Sequence, residues 1–172
     1  MTDRKVDERQ TIHLTINKVV QEFEIGDHPY QVTPYETLAQ TLRDTLGLKG
    51  TKTGCNQGAC GSCTVLMDGI PVLSCMLLTI ECDGKQITTI EGLQDQATGR
   101  LDEIQQAFVD HTAFQCGFCT PGLIMASKAL LSTNPSPTEA EIKQALSGHY
   151  CRCISHYHVV EALLSVAEKS RK

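Results

Sequence analysis

The sequence predicts an α+β protein: a β-rich half over residues 11–91, then a four-helix bundle over residues 92–172, behind a flexible tail at residues 1–10. Three observations predict it. Short β-branched runs with period-two alternation and tight turns fill the first half. Beyond the polar stretch EGLQDQATGR the apolar period becomes helical and stays so. Nine cysteines, eight of them in or near tight clusters, are divided between the two halves.

The elements follow in order. TIHLTI (residues 11–16) and VVQEFEI (residues 19–25) read as strands joined by Asn17-Lys18. In YETLAQTLRDTLGL, Leu38, Leu42 and Leu46 fall at i, i+4 and i+8 on one helix face, with Gly47 placed to end the helix. After a glycine-rich cysteine stretch, TVLMDGIPVLSC is two apolar runs joined by Asp68-Gly69, a strong hairpin signal. QITTI (residues 86–90) is a further strand. In the second half, LDEIQQAFVDH places Leu101, Ile104 and Phe108 on one face, and Pro121 suits the first turn of the next helix. Thr138 with Glu141 is a capping box, with Gly148 as a stop, and HVVEALLSVAEK closes the chain. Four such short helices would pack as a bundle.

Composition narrows the function. The 172 residues are 41% hydrophobic but only 5% aromatic with no Trp, a thin core of the kind that often relies on a metal or a crosslink. A formal charge of −5 without a Lys/Arg stripe argues against nucleic acid as a partner. MTDRKVDERQ has neither an apolar run nor a twin Arg, so it does not read as a secretory signal. No apolar stretch is long enough to span a bilayer. The expectation is a soluble cytoplasmic protein with no membrane contact. There thiols stay reduced, and clustered cysteines bind metal rather than pair.

Cys55, Cys60, Cys63 and Cys75 read C-x4-C-x2-C-x11-C, and the first three match the plant-type [2Fe-2S] spacing. A rhombic two-iron core needs four thiolates converging from a tightly bent loop whose amides point inward. Gly50, Gly54, Gly58 and Gly61 are the residues expected to supply the unusual backbone angles. The Asp68-Gly69 hairpin returns Cys75 to the loop. Zinc favours paired C-x2-4-C knuckles, which only Cys60/Cys63 resembles. Cys116, Cys119, Cys151 and Cys153 form a second set, each pair just before a predicted helix, whose N-terminus favours thiolates. Spacing alone leaves this set open between a second cluster and zinc. A mixed site including His149, His156 or His158 is a further alternative. Cys82 reads as a buried core residue. GLKGTKTG does not fit a phosphate loop, and no hydrolytic constellation stands out.

GCNQGACGSCTVLMDG, QCGFCTPGLIM and GHYCRC together resemble the two-cluster [2Fe-2S] subunit of the molybdenum hydroxylases, the family of xanthine dehydrogenase, aldehyde oxidoreductase and aerobic carbon monoxide dehydrogenase. The resemblance covers about residues 11–167. It implies a plant-ferredoxin-like β-grasp domain followed by the helical domain, and it turns the second set into a second cluster. Cys55, Cys60, Cys63 and Cys75 would ligate the cluster nearer the flavin. Cys116, Cys119, Cys151 and Cys153 would ligate the one nearer the molybdenum cofactor. By the same resemblance Gln115 would contact the pterin, and Cys153 would link its cluster to the pterin.

In such enzymes substrate is oxidised at molybdenum and electrons pass one at a time through the clusters to FAD. The resemblance therefore implies partners: a large molybdopterin-binding subunit and a medium FAD-binding subunit, assembled as a dimer of heterotrimers. The substrate site would lie off this chain. A free-standing ferredoxin-type carrier and a zinc-stabilised scaffold are the alternatives. Where the family reads GNLCRCTGY, this chain reads GHYCRCISHY (residues 148–157). The changes at His149 and His156 read as neutral variation, with a pH-dependent cluster potential as the alternative.

Overall fold

A computed structural model of the chain describes residues 10–169, and all that follows concerns those residues. The expected tail at residues 1–10 lies outside them except for Gln10, which opens the first strand. Strands β1 (Gln10–Ile16) and β2 (Val19–Ile25) form a hairpin in register Ile16↔Val19. Asn17 and Lys18 both take positive φ, as a two-residue turn between twisted strands requires. The second hairpin, β3 (Thr64–Met67) and β4 (Ile70–Leu73), turns through Asp68 and Gly69 in the same way. Strand β5 (Gln86–Thr88) joins the two hairpins, parallel to β1 and antiparallel to β3, giving the order β2-β1-β5-β3-β4.

β5 is shorter than QITTI suggests. Residues 90–92 turn into a 3₁₀ helix, and the Asn17 side chain holds the strand end by accepting the Thr89 N–H at 2.9 Å and donating to its hydroxyl at 2.9 Å. The first helix, α1 (Leu38–Gln40), is capped by Thr37 and runs straight into a π-helical turn over residues 41–45, where the Leu46 N–H reaches back to Thr41. Leu38 and Leu42 are fully buried against Ile12, Leu14, Ile16 and Ile87, so the helix lies across one face of the sheet. Cys82 is buried in this same core.

The second half holds α2 (Glu103–Asp110), α3 (Thr120–Thr133), α4 (Glu139–Ala145) and α5 (His156–Lys169). Ile104, Phe108, Leu123, Ile142, Leu146 and Leu163 meet in one core. Leu101, expected on the buried face of α2, instead precedes the helix and is exposed, because Asp102 caps the N-terminus. Asp102 accepts the Ile104 N–H at 3.0 Å and pairs with Lys128 of α3 at 2.6 Å. Thr138 and Glu141 form the expected capping box on α4.

Helix α3 also packs on the sheet, where Met125 and Ala129 bury Leu66 of β3. This close approach depends on Gly122: the Gly61 carbonyl occupies the space a side chain there would need. The two halves thus meet where the first cysteine loop touches the start of α3.

Candidate metal centres

Residues 55–63 form an irregular loop between α1 and β3. Its entrance is held from both sides. The Arg43 guanidinium donates to the carbonyls of Lys49 and Thr51, and the Glu91 carboxylate accepts the Gly50 N–H at 2.7 Å. Within the loop the positive φ angles fall on Asn56, Gly58 and Gly61. Gly50 and Gly54, expected to share that role, do not take positive φ. Gly54 is needed for space instead, since a side chain would press on the Cys60 sulfur and the Phe118 ring. The β3–β4 hairpin brings Cys75 back beside Cys63, and the buried Ser74 hydroxyl fixes the approach by donating to the Cys63 carbonyl at 2.7 Å.

The second set is assembled from two separated segments. Cys119 is the N-cap residue of α3, with Cys116 one turn earlier, while Cys151 and Cys153 lie just ahead of α5. Cys63, Cys75 and Cys119 are buried, Cys55, Cys60 and Cys151 half-buried, and Cys116 and Cys153 exposed. Gln115 is exposed beside Cys116. Six of the eight cysteines, all but Cys63 and Cys75, line one open pocket of about 340 Å³ together with Phe118, Tyr150 and Arg152.

Within each set the sulfurs meet in pairs. Cys116 and Cys153 are 3.5 Å apart. Cys119 interacts with Cys151, Cys55 with Cys60, and Cys63 with Cys75. Metal–thiolate bonds of about 2.3 Å in a tetrahedral shell place two sulfurs about 3.8 Å apart. The Cys116–Cys153 separation is close to that spacing. Among the described residues no three His, Cys, Asp or Glu side chains close on a single-ion site. Each set thus offers its donors as two pairs.

The backbone prepares part of each set. The amides of Gln57 and Ala59, with the Cys60 thiol, bring Cys55 down to about 7, the Ala59 N–H lying 3.2 Å from the sulfur. Burial acts to raise Cys151, but the Ile154 N–H at 3.3 Å, the Cys119 thiol and the Cys153 amide together hold it below the usual thiol value. Burial pushes Cys63 up to about 11 and Cys119 up to about 12. Without metal those two would stay protonated near neutral pH, so metal binding must displace their protons.

The two sets are joined by backbone. The Tyr150 N–H, next to Cys151, donates to the Cys60 carbonyl at 3.0 Å. Cys82 takes no part in either set: burial, followed by the Glu81 charge, raises its thiol to about 11.

Comparison with known proteins accounts for this pattern. Residues 7–114 match the 2Fe-2S iron-sulfur cluster binding domain family, and residues 89–164 match the [2Fe-2S] binding domain family. Over 165 residues the chain is 41% identical to the xanthine dehydrogenase iron-sulfur-binding subunit of Escherichia coli O157:H7, covering 94% of this chain and 96% of that protein. The chain is a member of the small [2Fe-2S] subunit family of the molybdenum hydroxylases. It is 50% identical over 129 residues to the nicotine 6-hydroxylase small subunit of Paenarthrobacter nicotinovorans, covering 75% of this chain and 76% of that one. The crystal structure of quinoline 2-oxidoreductase from Pseudomonas putida 86 superposes with a TM-score of 0.85 at 39% identity, over 95% of this chain and 96% of that chain.

The structure also gives two residues places that spacing does not. Thr64 and His149 are 85 positions apart, yet His149 Nε2 lies 3.2 Å from Thr64 Oγ1. Burial, the largest influence, holds His149 below the ordinary histidine value. It is therefore a neutral packing group near pH 7. Ser74 could have been suspected from its place before Cys75; the sequence offers His149 as a possible ligand of the second set, but only the folded chain sets it on the first loop.

Proposed function

We propose that this chain is the electron-relay subunit of a molybdenum hydroxylase, carrying two [2Fe-2S] clusters between a molybdenum-pterin cofactor and FAD held on partner subunits. Cys55, Cys60, Cys63 and Cys75 would hold one cluster in a module over residues 11–91. Cys116, Cys119, Cys151 and Cys153 would hold the other in a module over residues 92–172. The observation that carries this reading is that both cysteine sets open on one pocket and are bridged by the Tyr150 N–H to Cys60 carbonyl hydrogen bond. Electrons tunnel more readily through bonded paths than through empty space, and this bond shortens the gap between the sets. When bound, each cluster supplies a one-electron store.

This chain's residues do the rest. Ala59 and Ile154 direct amides at thiolates and so favour the reduced, more negative state. Arg43, Glu91 and Ser74 hold the loop geometry. Gln115 and Cys153 are exposed and would meet the pterin, and Cys153 shares its pocket with the exposed rings of Phe118 and Tyr150. We assign that face to the large molybdopterin-binding subunit and the first loop to the medium FAD-binding subunit, in a dimer of heterotrimers. No helix among the described residues is long and apolar enough to cross a membrane. A compartment that keeps thiols reduced, the cytoplasm, suits eight metal-binding cysteines.

Affinity purification of the chain at native levels tests the reading. Co-elution of molybdenum, flavin and two further polypeptides in fixed ratio is expected. A chain that elutes alone with its iron would favour a free-standing ferredoxin-type carrier instead.

A further inference from the structure

We propose that His149 is a positioning residue, which seats the helical half on the first cysteine loop and keeps water from the backbone between Cys60 and Cys63. The proposal rests on the relay reading above, since it concerns a cluster held by that loop.

Four observations carry it. First, the Thr64 hydroxyl donates its one proton to the Gly61 carbonyl at 2.7 Å. Towards His149 Nε2, 3.2 Å away, that hydroxyl can therefore only accept. This fixes the tautomer with the proton on Nε2. Second, the ring lies directly against Gly61: a side chain there would sit 2.5 Å from His149 Cδ2 and 2.8 Å from Cγ. Gly61 is buried with φ of +74°, so ring and glycine make a lock and its seat. Third, the following residue donates its amide to the Cys60 carbonyl at 3.0 Å, so residues 149 and 150 grip the Cys60-Gly61 segment at two adjacent points. Fourth, Nδ1 is buried, and the Gly122 backbone, itself packed on Gly61, lies beside the ring.

The same geometry states which side chains could replace it. Glutamine ends in a nitrogen at the position of Nε2 and can reach Thr64. Asparagine, the residue the family carries here, ends about where Nδ1 does and falls short. Truncation to alanine opens the space over Gly61 to water, and solvent stabilises the added charge of a reduced cluster, raising its potential.

The test is an EPR-monitored redox titration of the purified complex, for wild type and for His149→Ala, His149→Gln and His149→Asn. The signal of the first cluster is identified as the one lost in Cys55→Ser. In His149→Ala and His149→Asn that signal is expected to remain but to titrate higher, with the ratio of reduced to oxidised cluster at the wild-type midpoint raised about threefold, which is about 28 mV at about 59 mV per decade for one electron. His149→Gln is expected to follow wild type. Unmoved midpoints in His149→Ala and His149→Asn would overturn the proposal, as would a shift in His149→Gln equal to that in His149→Asn. If His149→Ala fails to assemble, the Gln and Asn variants decide. Wild-type protein lacking two cluster signals would instead defeat the relay reading, and that is seen before any variant is compared.

Discussion

Cys55, Cys60 and Cys63 lie within nine consecutive residues, and a four-residue strand with a tight hairpin delivers Cys75 to them. Cys116 and Cys119 meet Cys151 and Cys153 only because α3 and α5 begin at the same corner of the bundle. The first site is thus a property of a loop braced by a sheet, with two of its four sulfurs buried. The second is a property of helix packing, with two of its four exposed. The first is held mainly by neighbours in its own half, with His149 and Tyr150 reaching it from the other. The second depends on a core many residues away, and its exposed sulfurs leave it open to a partner.

The sharpest way to break this contrast is to remove one sulfur from each set. Cys75→Ser is expected to lower iron from about four to about two per chain and to abolish only the first signal, whereas Cys119→Ser abolishes only the second. Iron analysis with EPR reads both, and loss of both clusters from either variant would deny that the sites are independent. Next in size is the bundle core. Phe108→Ala should cost about 3–5 kcal/mol, as measured by denaturant unfolding of the helical half, and release iron from the second set first. Simultaneous loss from both sets would show that the sheet does not protect the first.

Gly122→Ala tests the seam between them. Its added methyl would meet the Gly61 carbonyl, so a loss of about 1–3 kcal/mol is expected, together with faster exchange of the Tyr150 amide. The smallest effect lies far from either site. Hydrogen bonds from the Thr138 amide and hydroxyl, then from Asn134, hold the Glu141 carboxyl below its ordinary value of 4.5. A lowered folded value means that the cap contributes above about pH 4.5 and is lost as pH falls through the folded value. Thr138→Ala should return the Glu141 titration towards 4.5 in carboxyl NMR.

Much of this contrast was legible in the sequence where the physics is local. Asn17-Lys18 and Asp68-Gly69 announced their turns, Pro121 and Thr138 their helix starts, and the x4, x2 spacing its loop. What was not legible depends on distant neighbours. Asp102 was free to cap α2 and pair with Lys128, which left Leu101 outside the helix. Gly54 gives room to Phe118 from the other half of the chain instead of bending the loop. The pairing of sulfurs in the second set is fixed by packing across 31 residues, which is why spacing alone left zinc open there. His149 reads in the sequence as neutral variation or a pH sensor, and its contact with Thr64 on the first loop appears only in the fold.

Low-temperature EPR of the dithionite-reduced protein, with spin integration and iron and sulfide assays, tests the central claim most directly. Two distinct S = 1/2 signals, with about two spins and about four irons per chain, are the predicted result. A single signal, or zinc in place of iron at Cys116, Cys119, Cys151 and Cys153, would contradict the account.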